Sequence, residues 1–398
     1  MTFESREAMK ISVLAPFPKY KDGIPRVTEE LISRLCEADD VESVSVIAVK
    51  KEKDFVSPSL VKNGKVSLFV VGSFLLPRTL WGIIKLYKKS DAILLFMHPC
   101  YFFSPTPLCL FQLLVKLGIL PKAKWIQMLF DFSFYSCPED DVGAANVTTL
   151  YTIWKNHFVQ LPVRYVAISE STKKEAMRYW DLNAADIAIV YLSSFIPPRS
   201  PRVNFGSKKM LIVSTISPRK NQLRLIKAFE LVHRKNPNND AELIIVGQLR
   251  KEIPEFESTL DDIRGRYEGI KITLTGHLTD SEIQSLYEEA DVFVYPSLYE
   301  GFGLPVLEAM ASGCPVIASN VSSLPEMVGD AGLLVDPRDV EALAQAMSTV
   351  LENDELKRQM SRKGIAQAQK FSWEKAGAEL LAVCREVAEK VIQPEGDK

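Results

Sequence analysis

Residues Pro296 to Ala318 read P-S-L-Y-E-G-F-G-L-P-V-L-E-A-M-A-S-G-C-P-V-I-A. Just before them, apolar Val292-Phe293-Val294-Tyr295 predicts a short buried strand, bounded by Pro296 and Ser297. A loop with Gly301 and Gly303 follows. Pro305 suits the first turn of a helix, and Val306 to Ala311 supply helix formers behind it. Strand, glycine loop and helix N-terminus together make an anion-binding arrangement. The loop presents backbone N–H groups, and the helix end adds roughly half a positive charge. Two carboxylates, Glu300 and Glu308, flank it. A carboxylate beside a phosphate would be repelled, so both are read as facing hydroxyl groups such as those of ribose and hexose. A phosphate nest bracketed by two hydroxyl acceptors suits a nucleotide sugar. From spacing alone, a buried turn with two solvated glutamates is an equal alternative.

Working outward, Met210 to Ser214 reads as a strand, followed by T-I-S-P-R-K-N and an amphipathic helix from Gln222 to His233. Arg219 and Lys220 lie on the loop that enters this helix. Arginine can bind phosphate oxygens through two N–H groups, and lysine as a point charge. Glu242 to Val246 and Ile272 to Leu274 are further strands, the first ending at Gly247 and the second followed by T-G-H-L. Thr279-Asp280-Ser281-Glu282 has capping-box spacing, with Ile283, Leu286, Tyr287 and Ala290 on one helical face behind it. Pro315 to Ser319 reads as a strand and Ser322 to Glu326 as the start of a short helix. Val340 to Leu351, Glu355 to Gln369 and Glu374 to Val391 read as helices.

The N-terminal half has the same grammar. Lys10 to Ala15 is a strand, then comes a loop with Pro16, Pro18 and Gly23, then a helix from about Arg26 to Cys36. Val44 to Val49, Val66 to Val71 and Ala92 to Phe96 are strands, and Trp125 to Phe134 contains another that ends in Asp131. Tyr165 to Ser169 and Ile187 to Leu192 flank a helix from Glu170 to Tyr179. Alternating strand and helix signals predict α/β architecture with doubly wound parallel sheets, whose ligands sit beyond the strand C-termini. Pro197, Pro198, Ser200, Pro201 and Gly206 mark a linker. The expected domains are residues 1–200 and 201–373, with 374–398 as a helix crossing back to the first and a charged tail.

The chain has 398 residues, 47% hydrophobic and 25% charged, with a formal net charge of -2. Two domains are the prior at this length, and the charge balance gives no support for nucleic-acid binding. Six scattered cysteines without a C-x-x-C pair read as buried thiols of a reducing compartment. Glu4 and Glu7 precede the first apolar run, unlike a signal peptide. The most apolar stretches are broken by prolines and Arg78 before reaching about twenty residues, so no transmembrane helix is expected. Basic, apolar Thr79 to Lys89 reads as a domain helix with a solvated lysine face, or as a segment resting on anionic membrane. The expected location is cytoplasmic, with peripheral contact at the inner face of the membrane as the second reading.

From about Met210 to Trp373 the sequence resembles the retaining glycosyltransferases of family 4, whose E-x7-E signature matches Glu300 and Glu308. The resemblance implies a GT-B fold, two Rossmann-like domains with the active site in the interdomain cleft. It implies that Glu300 contacts the donor hexose, that Glu308 holds the nucleotide ribose, and that the N–H groups of Gly301, Phe302, Gly303 and Leu304 meet the diphosphate. Lys220 becomes a diphosphate ligand with Arg219 beside it, and the loop at Gly276, His277 and Leu278 meets the nucleobase through backbone groups. Glu300, Lys220 and Asp131 form the expected catalytic set.

Departures from the pattern are specific. Relatives commonly carry two adjacent glycines where this chain has only Gly23, so a phosphate or acceptor role there stands level with a plain turn. Relatives have His-Asp where this chain has Phe130-Asp131, and a phenyl ring can neither donate a hydrogen bond nor move a proton. His98 is the candidate to reach the cleft instead, and a structural histidine is as good a reading. A further arginine of relatives falls near Thr215. The implied activity is transfer of a hexose, mannose or rhamnose-like, from a nucleoside-diphosphate sugar to a glycan or lipid-linked acceptor, with retention. GDP-mannose is favoured over UDP- and dTDP-sugars. No D-x-D occurs, so neither a metal nor another cofactor is expected. A non-catalytic GT-B partner of another transferase and a GT-B epimerase are the alternatives.

Overall fold

The computed structural model describes residues 8–14, 23–49, 56–71, 84–85, 88–95, 124–136, 155–156, 159, 163–237, 240–249 and 253–392. The chain divides into two compact units. Unit 1 comprises Met1–Phe130, Ala145–Leu192 and Trp373–Lys398, and unit 2 comprises Asp131–Ala144 and Ser193–Ser372.

Unit 1 is built on strands β1 (Met9–Leu14), β2 (Val41–Val49), β3 (Val66–Val71), β4 (Ala92–Leu95), β5 (Trp125–Leu129), β6 (Arg164–Ala167) and β7 (Ile187–Ile189). Their order is β3-β2-β1-β4-β5-β6-β7, and every neighbouring pair is parallel. A parallel sheet needs both faces covered, and β1 and β5 are accordingly buried at every position but Lys10. The helix Gly23–Glu37 buries Val27, Leu31, Ile32 and Leu35 along one stripe. The last helix, Trp373–Ile392, packs against it with Ala376, Leu380, Cys384 and Val387 buried. Gly377 permits the approach, since a Cβ there would overlap the Arg34 side chain. Arg385 donates to both carboxylate oxygens of Asp40 at 2.8 and 2.9 Å, and Arg164 pairs with Glu386 at 2.9 Å. Such part-exposed pairs add little energy, so the apolar stripe carries this helix.

Unit 2 contains β8 (Lys209–Val213), β9 (Glu242–Val246), β10 (Lys271–Gly276), β11 (Val292–Tyr295), β12 (Val316–Ser319) and β13 (Leu333–Val335). The order β10-β9-β8-β11-β12-β13 is again parallel throughout. The chain builds outward from β8 in one direction and from β11 in the other. The loops leaving β8 and β11 therefore meet at a topological switch point, where open α/β sheets bind ligands. The linker is clipped to this sheet by Asp291, a fully buried residue just before β11. Its carboxylate accepts from the N–H groups of Gly206 at 3.0 Å and Lys208 at 3.1 Å, and faces Lys357 Nζ at 3.4 Å.

Several sequence expectations are corrected. Gly23 is the first residue of a helix, since the periodic face begins earlier than Arg26. The strand β5 stops at Leu129, and Asp131 lies beyond it, before the single turn Ser133–Ser136. The helix Pro254–Arg266 and strand β13 were not anticipated: the former has a sparse apolar face and the latter is three residues long. The capping box at Thr279 is present, with the Glu282 side chain accepting from the Thr279 N–H at 2.7 Å. Residues 79–83 and 86–87 of the basic segment, and His98, lie outside the described residues. Among the described residues no helix is long and apolar enough to cross a membrane.

Candidate functional site

Strands β8 and β11 are neighbours, with Met210 opposite Val292 and Leu211 opposite Phe293. After β8 the chain passes through Ser217 into the 3-10 turn Pro218–Lys220 and reverses at Asn221, whose φ of 63° lies in the left-handed region. Asn221 tolerates that conformation better than most residues. Its buried amide donates to the carbonyls of Pro296 at 2.9 Å and Pro337 at 2.7 Å. The N–H of Leu298 donates to the Arg219 carbonyl at 2.7 Å. The turn that carries the two cations is thereby fastened to the loop after β11.

That fastening brings Arg219, Lys220 and Glu300 together. Lys220 Nζ lies 2.6 Å from Glu300 Oε1, and an Arg219 guanidinium nitrogen lies 3.3 Å from Oε2. Arg219 also donates to the Tyr299 carbonyl at 2.8 Å. Lys220 donates to the Tyr295 hydroxyl at 2.7 Å. Ser297 Oγ sits 2.6 Å from Glu300 Oε1, 3.0 Å from the Tyr299 carbonyl and 3.1 Å from that of Arg219. Its one proton serves these acceptors in turn. Burial alone would push the Glu300 carboxyl up, but Lys220, Arg219 and the Ser297 hydroxyl hold it below the ordinary carboxylate range. Glu300 is therefore ionised at neutral pH despite being buried.

The loop from Glu300 to Gly303 is braced from the next connection. The Glu300 N–H donates to Ser322 Oγ at 2.9 Å, and Ser323 Oγ donates to the carbonyls of Glu300 at 2.9 Å and Phe302 at 2.7 Å. Gly303 is the N-cap of the helix Leu304–Ala311 at φ 109°, and it brings no side chain of its own to that N-terminus. Glycine is required there: the φ is left-handed, and a Cβ would come 2.8 Å from Leu324 Cδ2. Glu308, half-buried on this helix, accepts from the Tyr287 hydroxyl at 3.4 Å. Burial, then the Glu308 charge, push the Tyr287 phenol up, so it remains a donor.

The other expected residues are placed differently. His277 is exposed and Leu278 half-buried, just beyond β10 at the same end of the sheet, where Gly247 donates to the Gly276 carbonyl at 2.9 Å. Asp131 accepts from the Ser133 N–H at 3.0 Å and from its hydroxyl at 2.9 Å, a local cap for the following turn. The adjacent Phe132 N–H donates to the Tyr299 hydroxyl at 2.9 Å. Phe130 is a buried residue of unit 1, and Gly23 is an exposed one. Sequence reading passed over Tyr287, Tyr295, Ser297, Asn221, Ser322 and Ser323. A usable signal existed for Tyr295, a hydroxyl at the end of an otherwise apolar buried strand. Among the described residues, no group of three or more His, Cys, Asp or Glu converges as a metal site.

Residues 198–367 match the family of glycosyl transferases group 1. The chain is 37% identical over 220 residues to O-antigen chain mannosyltransferase B of Escherichia coli, covering 52% of this chain and 57% of that protein. It is 34% identical over 183 residues to D-inositol 3-phosphate glycosyltransferase of Corynebacterium glutamicum (strain R), covering 44% of this chain and 43% of that protein. It thus spans about half the length of these curated relatives. Against the serotype-specific mannosyltransferase WbdA of Escherichia coli, 30% identical and matched over 52% of this chain, it covers 27% of the protein. Among solved structures, Anabaena HepE in complex with UDP and glucose superposes with a TM-score of 0.69 at 18% identity, over 95% of this chain and 100% of that one. Sucrose-phosphate synthase from Thermosynechococcus elongatus does so with a TM-score of 0.72 at 19% identity, over 95% and 99%. Such likenesses are of fold: both units together make the two Rossmann-like domains of GT-B.

Proposed function

We propose, for a chain whose residues 198–367 match the glycosyl transferases group 1 family, that it transfers a hexose from a nucleoside-diphosphate sugar to an acceptor hydroxyl with retained configuration. The observation that carries this reading is the convergence of Lys220 and Arg219 on Glu300 at the β8/β11 switch point, beside a glycine-capped helix N-terminus. Two cations and a carboxylate serve a donor that has both phosphates and sugar hydroxyls. In the proposed reaction the bond between the anomeric carbon and the β-phosphate oxygen breaks while the acceptor oxygen bonds to that carbon from the same face. The departing phosphate takes the acceptor proton. Lys220, Arg219 and the N–H groups of Gly301 to Leu304 stabilise the diphosphate as its charge grows, a large term in catalysis. Glu300 orients the hexose, Glu308 accepts from the ribose, and the backbone at His277 and Leu278 meets the base. No metal takes part in this scheme.

The proposed donor is GDP-mannose, supported by identity to the O-antigen mannosyltransferase, with UDP- and dTDP-sugars behind it. The acceptor is a glycan or lipid-linked sugar recognised by the first domain, on the cytoplasmic side of the membrane. A second reading, a non-catalytic partner that binds sugar nucleotide, draws support from Phe130 and from Asp131, whose carboxylate serves a local cap. Thermal shift with GDP, UDP, dTDP and their sugars, each with and without EDTA, tests the proposal. Stabilisation by one diphosphate series, unchanged by EDTA and accompanied by slow sugar release, is expected. Binding without release, even with acceptor glycans supplied, favours the non-catalytic reading, and no binding by any nucleotide overturns the donor site.

A further inference from the structure

We propose that Tyr295 is a positioning residue whose hydroxyl holds the Lys220 ammonium in place for a ligand's diphosphate. The inference rests on the donor-site reading above and deepens it.

Tyr295 ends β11 and is fully buried. Its ring stacks on Phe293, centroids 5.6 Å apart at 20°, and Phe293 meets Tyr287 edge-on at 5.4 Å. The phenol oxygen is therefore carried by a rigid column, and it emerges 2.7 Å from Lys220 Nζ. The Glu300 carboxylate meets the same ammonium at 2.6 Å. A phenol oxygen can accept from an ammonium. Burial first, and then the Glu300 charge, push this phenol well up, so it stays a neutral acceptor.

A space-filling role would be served as well by phenylalanine. A hydroxyl buried at the end of V-F-V-Y is costly unless it is hydrogen bonded. The partner it finds is the lysine of the candidate site. Lysine is a flexible stem with a rotatable charge, so a fixed neutral acceptor restricts where that charge points. When a phosphate oxygen competes with Glu300 for Nζ, the Tyr295 contact can persist through the exchange, because it carries no charge of its own.

The test is calorimetric titration of wild type, Tyr295→Phe, Lys220→Met and the double variant with GDP, UDP and dTDP, alongside guanosine, uridine and thymidine. Tyr295→Phe is expected to weaken the preferred diphosphate about tenfold, the scale of a hydrogen bond to a charged group, and to leave the nucleoside unaffected. In the Lys220→Met background it is expected to do nothing further. Equal diphosphate affinity in wild type and Tyr295→Phe overturns the inference, and so does the same loss in both backgrounds. Failure of wild type to bind any diphosphate overturns the donor-site reading, and this inference with it. If Tyr295→Phe does not fold, 3-fluorotyrosine incorporated at position 295 keeps the shape and weakens the acceptor. It is then expected to lower diphosphate affinity, and unchanged affinity counts against the inference.

Discussion

Lys220 Nζ and Glu300 Oε1 lie 2.6 Å apart although eighty residues separate them in the chain. Arg219 faces the other oxygen of the same carboxylate at 3.3 Å. One buried anion thus holds two cations at the mouth of a glycine loop. On the proposed donor-site reading an incoming diphosphate competes with Glu300 for Lys220, and Glu300 keeps Arg219 and Ser297 as partners. Each of the following expectations tests a part of this arrangement or of the frame that holds it.

In the proposed reaction Lys220→Met removes a point charge aimed at the leaving diphosphate. The rate of sugar release in single turnover is expected to fall about 10²- to 10³-fold, the scale of removing one fixed donor to developing charge. Rapid-quench measurement at saturating donor checks it, and a loss confined to donor affinity would count against transition-state stabilisation.

Glu300 contributes stability that depends on pH. Its folded value lies below the ordinary 4.5 because Lys220, Arg219 and Ser297 outweigh burial. A depressed carboxyl stabilises fully above its unfolded value and loses that contribution as pH falls through the folded value. The melting-temperature gap between wild type and Glu300→Gln is expected to be constant near neutrality and to close on acidification below 4.5. A gap independent of pH would contradict the ion-pair account.

Asp291 and Lys357 form a buried pair, with side chains 0% and 2% exposed. Asp291→Ala leaves Lys357 with Asp354 at 2.7 Å as its remaining carboxylate and orphans the N–H groups of Gly206 and Lys208. The expected cost is about 3 kcal/mol in chemical denaturation. Lys271→Ala, which removes an exposed pair with Asp240, is expected to cost less than about 1 kcal/mol.

Gly247 has φ 136°, and a Cβ there would overlap the Ser214 carbonyl at the end of β8. Gly247→Ala is expected to shift that strand end, lowering both the melting temperature and nucleotide affinity. Gly265, near the end of the helix Pro254–Arg266, faces open space. Gly265→Ala is expected to stabilise by about 0.5 kcal/mol through the unfolded chain. Thermal melts of the two variants side by side give the contrast.

Much of the fold was legible because its signals are local. The capping box at Thr279 follows from four consecutive residues, and V-F-V-Y announces a buried strand by composition alone. The two helical segments flanking residue 353 follow from apolar periodicity, and the structure moves their ends by one residue at most. Local signals failed where a contact from elsewhere decides the outcome. Asp131 read as the end of a strand, yet the pairing of β5 with β6 ends at Leu129 and frees the next residues to turn. The six braces Asn221, Tyr287, Tyr295, Ser297, Ser322 and Ser323 carry no motif, since each meets a group distant in sequence, Ser297 through the Arg219 carbonyl.

The sequence by itself determined the doubly wound class, the glycine loop at Gly301 and Gly303, and the residue types of the candidate site. Periodicity, glycine freedom and charge are properties of short stretches. Only the tertiary structure decided that Lys220 and Glu300 face one another. The reason lies in strand order: β9 and β10 stack on one side of β8, which leaves its other edge to β11. Two loops far apart in the chain then end side by side, and their opposite charges meet at 2.6 Å where both side chains are about nine-tenths buried, which strengthens the attraction.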